Sequence, residues 1–147
     1  MLTDGDQMNE VLEILRYLIY QRRVQVNTTG GGDLHSALHC ACLRSAPEII
    51  EFLLSEGAEV HPGDSAGRTP AHLVCYRGLT HYRSLDPSDD ALIARDGTHR
   101  TALHYAVVSA DVALVRHVLD AHKRHPEHRD TYKQLVDAAL GGKTRRR

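Results

Sequence analysis

The stretch SALHCA at residues 36–41 decides the fold, because it returns as TPAHLV at residues 69–74 and as TALHYA at residues 101–106. The second copy begins 33 residues after the first, and the third begins 32 residues after the second. Every copy starts with Ser or Thr and carries His at its fourth position. A nearly constant period of this length is typical of a solenoid built from one supersecondary unit per repeat. The sequence therefore predicts a stack of repeats.

Each copy carries the residues of a turn followed by a capped helix. Turn-forming residues precede the first two copies at 30–33 and 64–67. The Ser or Thr is a good N-cap, since its hydroxyl accepts a hydrogen bond from a helix amide that lacks an intrahelical partner. Pro70 follows at the first helical position, where its missing N–H costs nothing. Residues 47–54 then begin with proline and present isoleucine and leucine on one face, which predicts a second helix that ends at Gly57.

The repeats depart from this pattern at several positions. The first repeat lacks an inner helix, so either the stack begins with an abbreviated cap or the chain is an excerpt of a longer protein. Residues 10–21 are predicted to form the outer helix of this repeat. The side chains expected to face inward from it are Val11, Ile14, Leu15 and Leu18. In the third repeat Pro87 forbids one continuous outer helix, so a short helix and a loop are expected. In the fourth repeat His99 stands at the position of the turn glycine, and His122 stands where glycine closes the outer helix.

These patterns resemble the ankyrin repeat. Residues 36–69 contain SALHCAC, EIIEFLLSEGAEV and DSAGRTP in the order of that family, and the resemblance covers roughly residues 5–122. It implies an all-α solenoid of about three full repeats, with an abbreviated N-terminal repeat or cap and a C-terminal capping helix. The repeat domain is expected over residues 1–140, and a flexible basic tail over 141–147. Its parts are a partial repeat at 1–30, repeats at 31–63, 64–95 and 96–128, and a capping helix at 129–140.

The resemblance also implies a function, namely a non-catalytic protein-interaction module that serves as a scaffold or adaptor. Partners of this family commonly bind the concave groove formed by turn tips and inner helices. By alignment, the candidate partner-binding residues are Asp33, His35, Leu43, Arg44, Ser65, Arg68, Tyr76, Arg77, Arg95, Thr98, Arg100 and Val108. The arginines among them favour an acidic partner segment, extended or helical, and Tyr76 would pack an apolar side chain. Alternatively, these arginines are solvated or paired with Asp33, Asp64 and Asp96.

Two other functions stay open at this point. One is a regulator or chaperone that masks a tail of a single client, and the other is a metal- or thiol-dependent enzyme. The sequence favours neither a metal nor a cofactor, because the histidines at 117, 122, 125 and 128 match no standard zinc spacing. In the resembled family the histidines equivalent to His39, His72 and His104 hydrogen-bond between repeats. No catalytic residue is expected.

The cysteines and the irregular third repeat allow further expectations. Cys42 and Cys75 occupy equivalent positions and are expected to fill the core, whereas Cys40 is expected to be more exposed. Residues 79–95 form an irregular segment within the third repeat, which makes it a candidate second binding surface. The side chains that could dock a partner there are Tyr82, Leu85 and Pro87.

Composition limits the classes of partner and compartment. The chain has 147 residues, 41% hydrophobic and 25% charged, which is typical of a globular domain. A formal net charge of -1 gives no reason to expect nucleic acid or an anionic membrane as partner. Residues 1–10 carry acids and are not expected to be a signal peptide, and the apolar run at 11–20 is too short to span a bilayer. Three free thiols then favour the cytoplasm or nucleus, and a homo-oligomer is neither implied nor excluded.

Overall fold

The predicted all-α repeat stack is confirmed. A computed structural model of the chain describes residues 3–44, 46–125 and 133. The α-helices are α1 (Asp4–Arg16), α2 (Ala37–Arg44), α3 (Pro47–Ser55), α4 (Pro70–Arg77), α5 (Leu79–Leu85), α6 (Asp89–Ile93), α7 (Ala102–Ser109) and α8 (Val112–Arg124). A π-helical turn at Tyr17–Gln21 continues α1, and the strands β1 (Thr29–Gly30) and β2 (His35–Ser36) pair antiparallel, with Thr29 opposite Ser36. Apart from residue 133, the predicted capping helix and tail lie outside the described residues.

The helices form two rows. The inner helices α2, α4 and α7 begin directly after the repeated Ser or Thr and pack side by side in that order. The outer helices α3, α5 and α8 each pack against the inner helix of their own repeat, and α3 and α8 both contact α5. Successive repeats therefore stack in register.

The repeated histidines join one repeat to the next. The backbone N–H of Thr69 donates to Nδ1 of His72 at 3.0 Å, so Nδ1 is unprotonated and the ring proton lies on Nε2. That Nε2 donates to two backbone carbonyls, that of Ala94 at 3.0 Å and that of Arg100 in the following repeat at 3.2 Å. His39 makes the equivalent bond to the carbonyl of Arg68 at 3.1 Å. For these two histidines, the role implied by the family resemblance is confirmed.

The core consists of the facing sides of the two rows. Its largest fully buried apolar side chains are Leu38, Ile50, Leu53, Leu73, Val74, Leu92, Leu114 and Val118. Cys42 and Cys75 are buried completely, which confirms their predicted place in the core. Burial raises the pKa of both thiols to about 12, so they stay protonated at neutral pH. Cys40 is exposed, as the sequence predicts.

The prediction for the face of the first helix was wrong for three of its four side chains. Helix α1 begins earlier than expected, with Thr3 as its cap, and none of its residues is fully buried. Val11, Ile14 and Leu18 were expected to face inward, but they are 40%, 52% and 37% exposed. The half-buried side chains that pack on the core are Leu15, as predicted, together with Met8 and Leu12, which were not predicted. Helix α1 meets α3 where the Arg16 guanidinium lies over the Phe52 ring, 5.8 Å from its centroid, and the described residues contain no inner helix that could cover the remaining apolar side chains of α1.

The outer row departs from the prediction at two further points. Pro87 does break the outer helix of the third repeat, but a second short helix, α6, follows instead of a loop. The sequence places His122 where glycine closes the outer helix in the family pattern, but α8 does not end there and continues to Arg124. The cause is that the His122 ring is buried and bonded at both nitrogens, to the carbonyl of Val118 at 3.1 Å and to the hydroxyl of Thr101 at 3.2 Å.

Candidate partner-binding groove

The second and third turns are each organised around one buried aspartate. The Asp64 side chain accepts backbone N–H bonds from Ala66 and Arg68, both at 2.9 Å. The Arg68 guanidinium also binds Asp64 at 2.8 Å, and His35 from the preceding turn reaches the same carboxylate at 3.1 Å. Burial alone would raise the pKa of Asp64, but these donors outweigh it and hold that pKa below its usual value. Arg68 and His35 are therefore engaged within the protein.

The equivalent aspartate of the fourth repeat has different partners. Asp96 accepts bonds from the backbone and hydroxyl of Thr98, both at 2.8 Å, and from the hydroxyl of Tyr105 at 2.5 Å. Burial would raise the pKa of Asp96, but the Tyr105 hydroxyl and the other donors lower it to about 2. No ion pair of the Arg100 side chain is found among the described residues. Its exposed guanidinium differs in this respect from that of Arg68.

An apolar cleft of about 400 Å³ lies between the inner helices α4 and α7, and we call it the tyrosine cleft. It is lined by Tyr76, Arg100, His104, Tyr105, Val107 and Val108. Tyr76 is 47% exposed and Val108 is 66% exposed, although both are large apolar side chains. A cationic group on the rim of an exposed apolar pocket is suited to a ligand that combines a carboxylate with a hydrophobic side chain.

The structure brings only some of the sequence-predicted residues together. Tyr76, Arg100 and Val108 meet in the tyrosine cleft, and His35 and Arg68 meet at Asp64. The other candidates belong to neither group: Asp33, Leu43, Arg44, Ser65, Arg77, Arg95 and Thr98. The alternative, that the arginines are paired with aspartates, holds for Arg68 and Asp64.

Three residues of the cleft were not predicted from the sequence. His104 and Tyr105 belong to the repeated motif itself, and Val107 occupies the position of the core cysteines Cys42 and Cys75. A motif position suggests packing, so these residues were not considered for binding. The signal that could have found Tyr105 is its size, since the first two copies have Cys40 and Leu73 at its position.

The predicted second surface at residues 79–95 was wrong for two of its three side chains. Tyr82 and Leu85 are only 4% and 5% exposed, so neither can meet a partner. The Tyr82 ring packs edge-on against His117 of α8, with ring centroids 5.2 Å apart. Tyr82 thus packs the irregular third repeat on the fourth, and Leu85 belongs to the hydrophobic core.

Two other kinds of site were searched for in the described part of the chain. No three His, Cys, Asp or Glu side chains of these residues gather where they could hold a metal ion. Among the same residues, no helix has the length and apolar character needed to cross a bilayer.

Comparison with known proteins identifies the repeats. A family model of three ankyrin repeats matches residues 38–130, and a second ankyrin-repeat model matches residues 8–54. NF-kappa-B inhibitor alpha of Sus scrofa is 30% identical over 108 residues, which are 69% of this chain and 32% of the relative. Tyrosine-protein kinase HTK16 of Hydra vulgaris is 32% identical over 76% of this chain, but the match covers only 15% of the kinase. Protein phosphatase 1 regulatory subunit 27 of Homo sapiens is 37% identical over 67 residues, 46% of this chain and 43% of that protein.

The matched region is therefore less than half of each of these relatives, and what it shares with them is the repeats. The two family models together extend from α1 beyond the end of α8. The first of them alone covers more than half of the chain. The capping motifs, the two rows of helices and the histidine bonds between repeats agree with both matches. The chain belongs to the ankyrin-repeat family.

Proposed function

We propose that this chain is a non-catalytic protein-binding module that holds an acidic segment of a partner protein against its inner helices. Its family supports a protein-interaction or regulatory role in general. The observation that carries the finer proposal is the tyrosine cleft, where exposed apolar side chains lie beside the guanidinium of Arg100, which has no ion pair among the described residues. In this proposal an apolar side chain of the partner enters between Tyr76, Tyr105 and Val108.

Arg100 is the arginine that we assign to the partner's carboxylate. Arg68 stands at the equivalent position one repeat earlier, but its guanidinium is already bound to Asp64. Releasing Arg68 would leave a buried carboxylate with fewer donors, and this would oppose the gain from a new ion pair. The Asp96 carboxylate is occupied by Tyr105 and Thr98, so it does not compete for Arg100.

A second form of this function is the regulation of a single client protein, one tail of which the chain would mask. Two of the relatives are named as an inhibitor and as a regulatory subunit, which supports regulation through binding. Placement in the cytoplasm or nucleus belongs to the same proposal, and the three free thiols support it.

Selection from a displayed peptide library on the immobilised chain tests the proposal. Enriched peptides should carry Asp or Glu close to a large apolar residue. Arg100→Glu and Tyr76→Ala should each weaken such a peptide about tenfold or more, as is typical of hot-spot arginine and tyrosine residues. Arg116→Glu makes the same charge change on the exposed surface of α8 and should leave the affinity unchanged.

Fluorescence anisotropy with labelled peptides gives the affinities. Equal affinity of the wild type, Arg100→Glu and Tyr76→Ala would show that the partner binds elsewhere. Enrichment of basic rather than acidic peptides would contradict the assigned role of Arg100.

A further inference from the structure

The turns of the third and fourth repeats share one backbone geometry. In the third repeat the backbone N–H of Arg68 donates to Oδ1 of Asp64 at 2.9 Å, and the carbonyl of Arg68 accepts from the N–H of Asp64 at 2.9 Å. Arg100 and Asp96 make the same two bonds in the fourth repeat, both at 2.9 Å. Each arginine therefore begins at the same place beside its aspartate. The Arg100 side chain can reach Asp96 in the way that the Arg68 side chain reaches Asp64.

The two aspartates differ in the donor that binds their second carboxylate oxygen. Oδ2 of Asp64 accepts from Nε and from Nη2 of Arg68, both at 2.8 Å. Oδ2 of Asp96 accepts from the Tyr105 hydroxyl at 2.5 Å. Within the described part of the chain, no bond joins the Arg100 side chain to Asp96. The same oxygen is thus bound by an arginine in one turn and by a tyrosine in the next.

One position of the repeated motif accounts for this difference. Leu73 and Tyr105 stand at the fifth position of the motif, each at the same distance along the chain from the aspartate of its turn. Leu73 has no hydrogen-bond donor in its side chain, so Oδ2 of Asp64 is open to Arg68. Tyr105 supplies a hydroxyl, and burial together with the bond to Asp96 raises the pKa of Tyr105 to about 12. The hydroxyl is therefore protonated at neutral pH and can donate.

The Tyr105 ring is held where it both reaches Asp96 and forms a wall of the tyrosine cleft. It is half-buried and packs edge-on against the His72 ring, with ring centroids 5.2 Å apart. Arg100 lines the same cleft. Asp96 is only 7% exposed, and a buried carboxylate that loses a donor attracts a cation strongly. The shared backbone geometry of the turns makes Arg100 the cation that can replace the hydroxyl.

We propose, as a consequence of the proposed function, that Tyr105 is a positioning residue of the tyrosine cleft. Its hydroxyl occupies Oδ2 of Asp96 and so keeps the Arg100 guanidinium on the rim of the cleft, where it can bind the carboxylate of the partner. Without this hydroxyl, Arg100 would turn to Asp96, and the cleft would keep its apolar walls but lose its cation. The fifth residue of the motif thereby determines which repeat can hold an acidic partner.

The variant Tyr105→Phe tests the proposal, because it removes the hydroxyl and keeps the ring. Exchange of the arginine Nε protons with water is measured by NMR on isotope-labelled protein, and the signals are assigned with Arg68→Lys and Arg100→Lys. In the wild type the Nε proton of Arg68, which is bonded to Asp64, should exchange more slowly than that of Arg100. In Tyr105→Phe the exchange of Arg100 should slow to a rate similar to that of Arg68, because a hydrogen-bonded proton is protected from water.

Tyr20→Phe is the matched control. The Tyr20 hydroxyl also donates to a carboxylate, that of Glu56, and neither residue lines the tyrosine cleft. This variant should leave the exchange of Arg100 unchanged. Circular dichroism verifies that both tyrosine variants fold.

Arg68 is the other arginine to be followed in Tyr105→Phe. It stands one residue before the motif, as His35 does, and His35 reaches the aspartate of the following turn, Asp64, at 3.1 Å. To reach Asp96 in the same way, Arg68 would have to leave Asp64, and its Nε proton would then exchange faster. Faster exchange at Arg68 without slower exchange at Arg100 would contradict the proposal.

A second substitution separates positioning from a general structural role of the hydroxyl. Asp96→Asn removes the charge that attracts Arg100, while the amide oxygen can still accept the backbone bonds from Thr98 and Arg100. The double variant Tyr105→Phe with Asp96→Asn should therefore restore the fast exchange of Arg100. Damage to the turn through the loss of the hydroxyl would not be repaired by a further change at Asp96.

The acidic peptide that binds the wild type most tightly in the library selection is the probe for affinity. Tyr105→Phe should weaken it about threefold or more, because Asp96 then competes for Arg100, and the double variant should bind it as the wild type does. Tyr20→Phe should leave the affinity unchanged. The proposal is overturned if Arg100 exchanges in Tyr105→Phe as it does in the wild type, or if the double variant stays weak. Failure of the selection to yield any acidic peptide would contradict the proposed function instead, and the exchange rates would still decide the role of Tyr105.

Discussion

At the scale of single residues, one turn position requires a positive φ angle of three different residues. Leu34, Gly67 and His99 occupy equivalent positions, and their φ angles are 55°, 74° and 63°. This left-handed region costs about 1–2 kcal/mol for a residue that has a Cβ atom and almost nothing for glycine. Two of the three turns therefore carry strain that the second turn avoids.

Gly67 also lies close to the backbone of the neighbouring turn. A Cβ atom there would lie 2.7 Å from the backbone nitrogen of Gly97 in the neighbouring turn. We expect Gly67→Ala to lower the free energy of unfolding by about 2–3 kcal/mol, through the positive φ and this backbone contact. Urea unfolding followed by circular dichroism measures the change. Gly32→Ala is the control, because its Cβ would meet nothing within 4 Å and its φ is not positive, and a cost as large as that of Gly67→Ala would contradict the argument.

Substitution of His99 by glycine should change the free energy of unfolding in the opposite direction. His99 is exposed and has a φ of 63°, so glycine at this position removes the strain of the left-handed backbone. Glycine also adds about 0.5–1 kcal/mol of backbone entropy cost, which offsets part of the gain. We expect His99→Gly to raise the free energy of unfolding by up to about 1 kcal/mol, measured by the same urea titration. A destabilised variant would mean that the His99 side chain has a role that its exposure does not suggest.

At the scale of elements, the sequence predicted what local chemistry controls and missed what neighbours control. The cap residues Thr69 and Thr101 lie directly before the helices that they predict, because a cap acts on its own first turn. The inward face of α1 was mispredicted because periodicity shows which side chains are apolar, but not which side a second helix covers. The burial of His122 was not predicted for a similar reason, since its partner Thr101 is the cap of another helix, α7.

Helix α6 shows which kind of contact holds a short element. Its five residues are far too few for a stable isolated helix, so tertiary contacts must fix it. Arg124 of α8 binds Asp89 of α6 with two bonds of 2.8 Å, but the Arg124 side chain is 57% exposed, and an ion pair so accessible to solvent contributes little to stability. Leu92 is only 1% exposed, and truncating a buried leucine costs about 2–5 kcal/mol. The burial of Leu92 therefore contributes more to the stability of α6 than the ion pair between Arg124 and Asp89.

We accordingly expect Leu92→Ala to destabilise the protein by at least twice as much as Arg124→Ala, since the buried leucine contributes more than the exposed ion pair. Thermal unfolding of both variants, at low and at high salt, measures the difference. Only the Arg124→Ala effect should shrink as salt rises, because salt screens exposed ion pairs. A larger effect for Arg124→Ala would mean that the ion pair, and not the burial of Leu92, is the main contact that stabilises α6.

At the scale of the whole molecule, the stack explains why the binding surface was only partly predictable. The period places equivalent residues of neighbouring repeats side by side, and this was enough to select Tyr76, Arg100 and Val108. It could not show that Arg68 is bound to Asp64, while the equivalent aspartate, Asp96, binds Tyr105. That difference depends on one side chain in each copy. A repeat pattern shows only what the copies have in common, so it does not reveal such a difference.

The bonds between repeats also make the stability of the whole stack depend on pH. Burial lowers the pKa of His39, His72 and His104 below the usual value of about 6.5, although backbone carbonyl acceptors partly oppose this for the first two. The folded chain therefore keeps these rings neutral while the unfolded chain takes up protons near pH 6.5. Because the unfolded state binds more protons below that pH, the stability is fully present above it and falls as the pH decreases through it.

The variant His72→Gln tests how much one of these histidine rings contributes to the pH dependence of stability. Glutamine can accept the same bond from the backbone of Thr69, as in a capping box, but it does not titrate. We expect the variant to be less stable than the wild type at about pH 7.5, since it loses the bond to Arg100, and to lose less stability between about pH 6.5 and 5.5. The slope should decrease by up to one proton, about 1.4 kcal/mol per pH unit, in urea titrations at each pH. His61→Gln, in an exposed loop, should keep the wild-type slope. If His72→Gln keeps it as well, a group other than this ring produces the acid sensitivity.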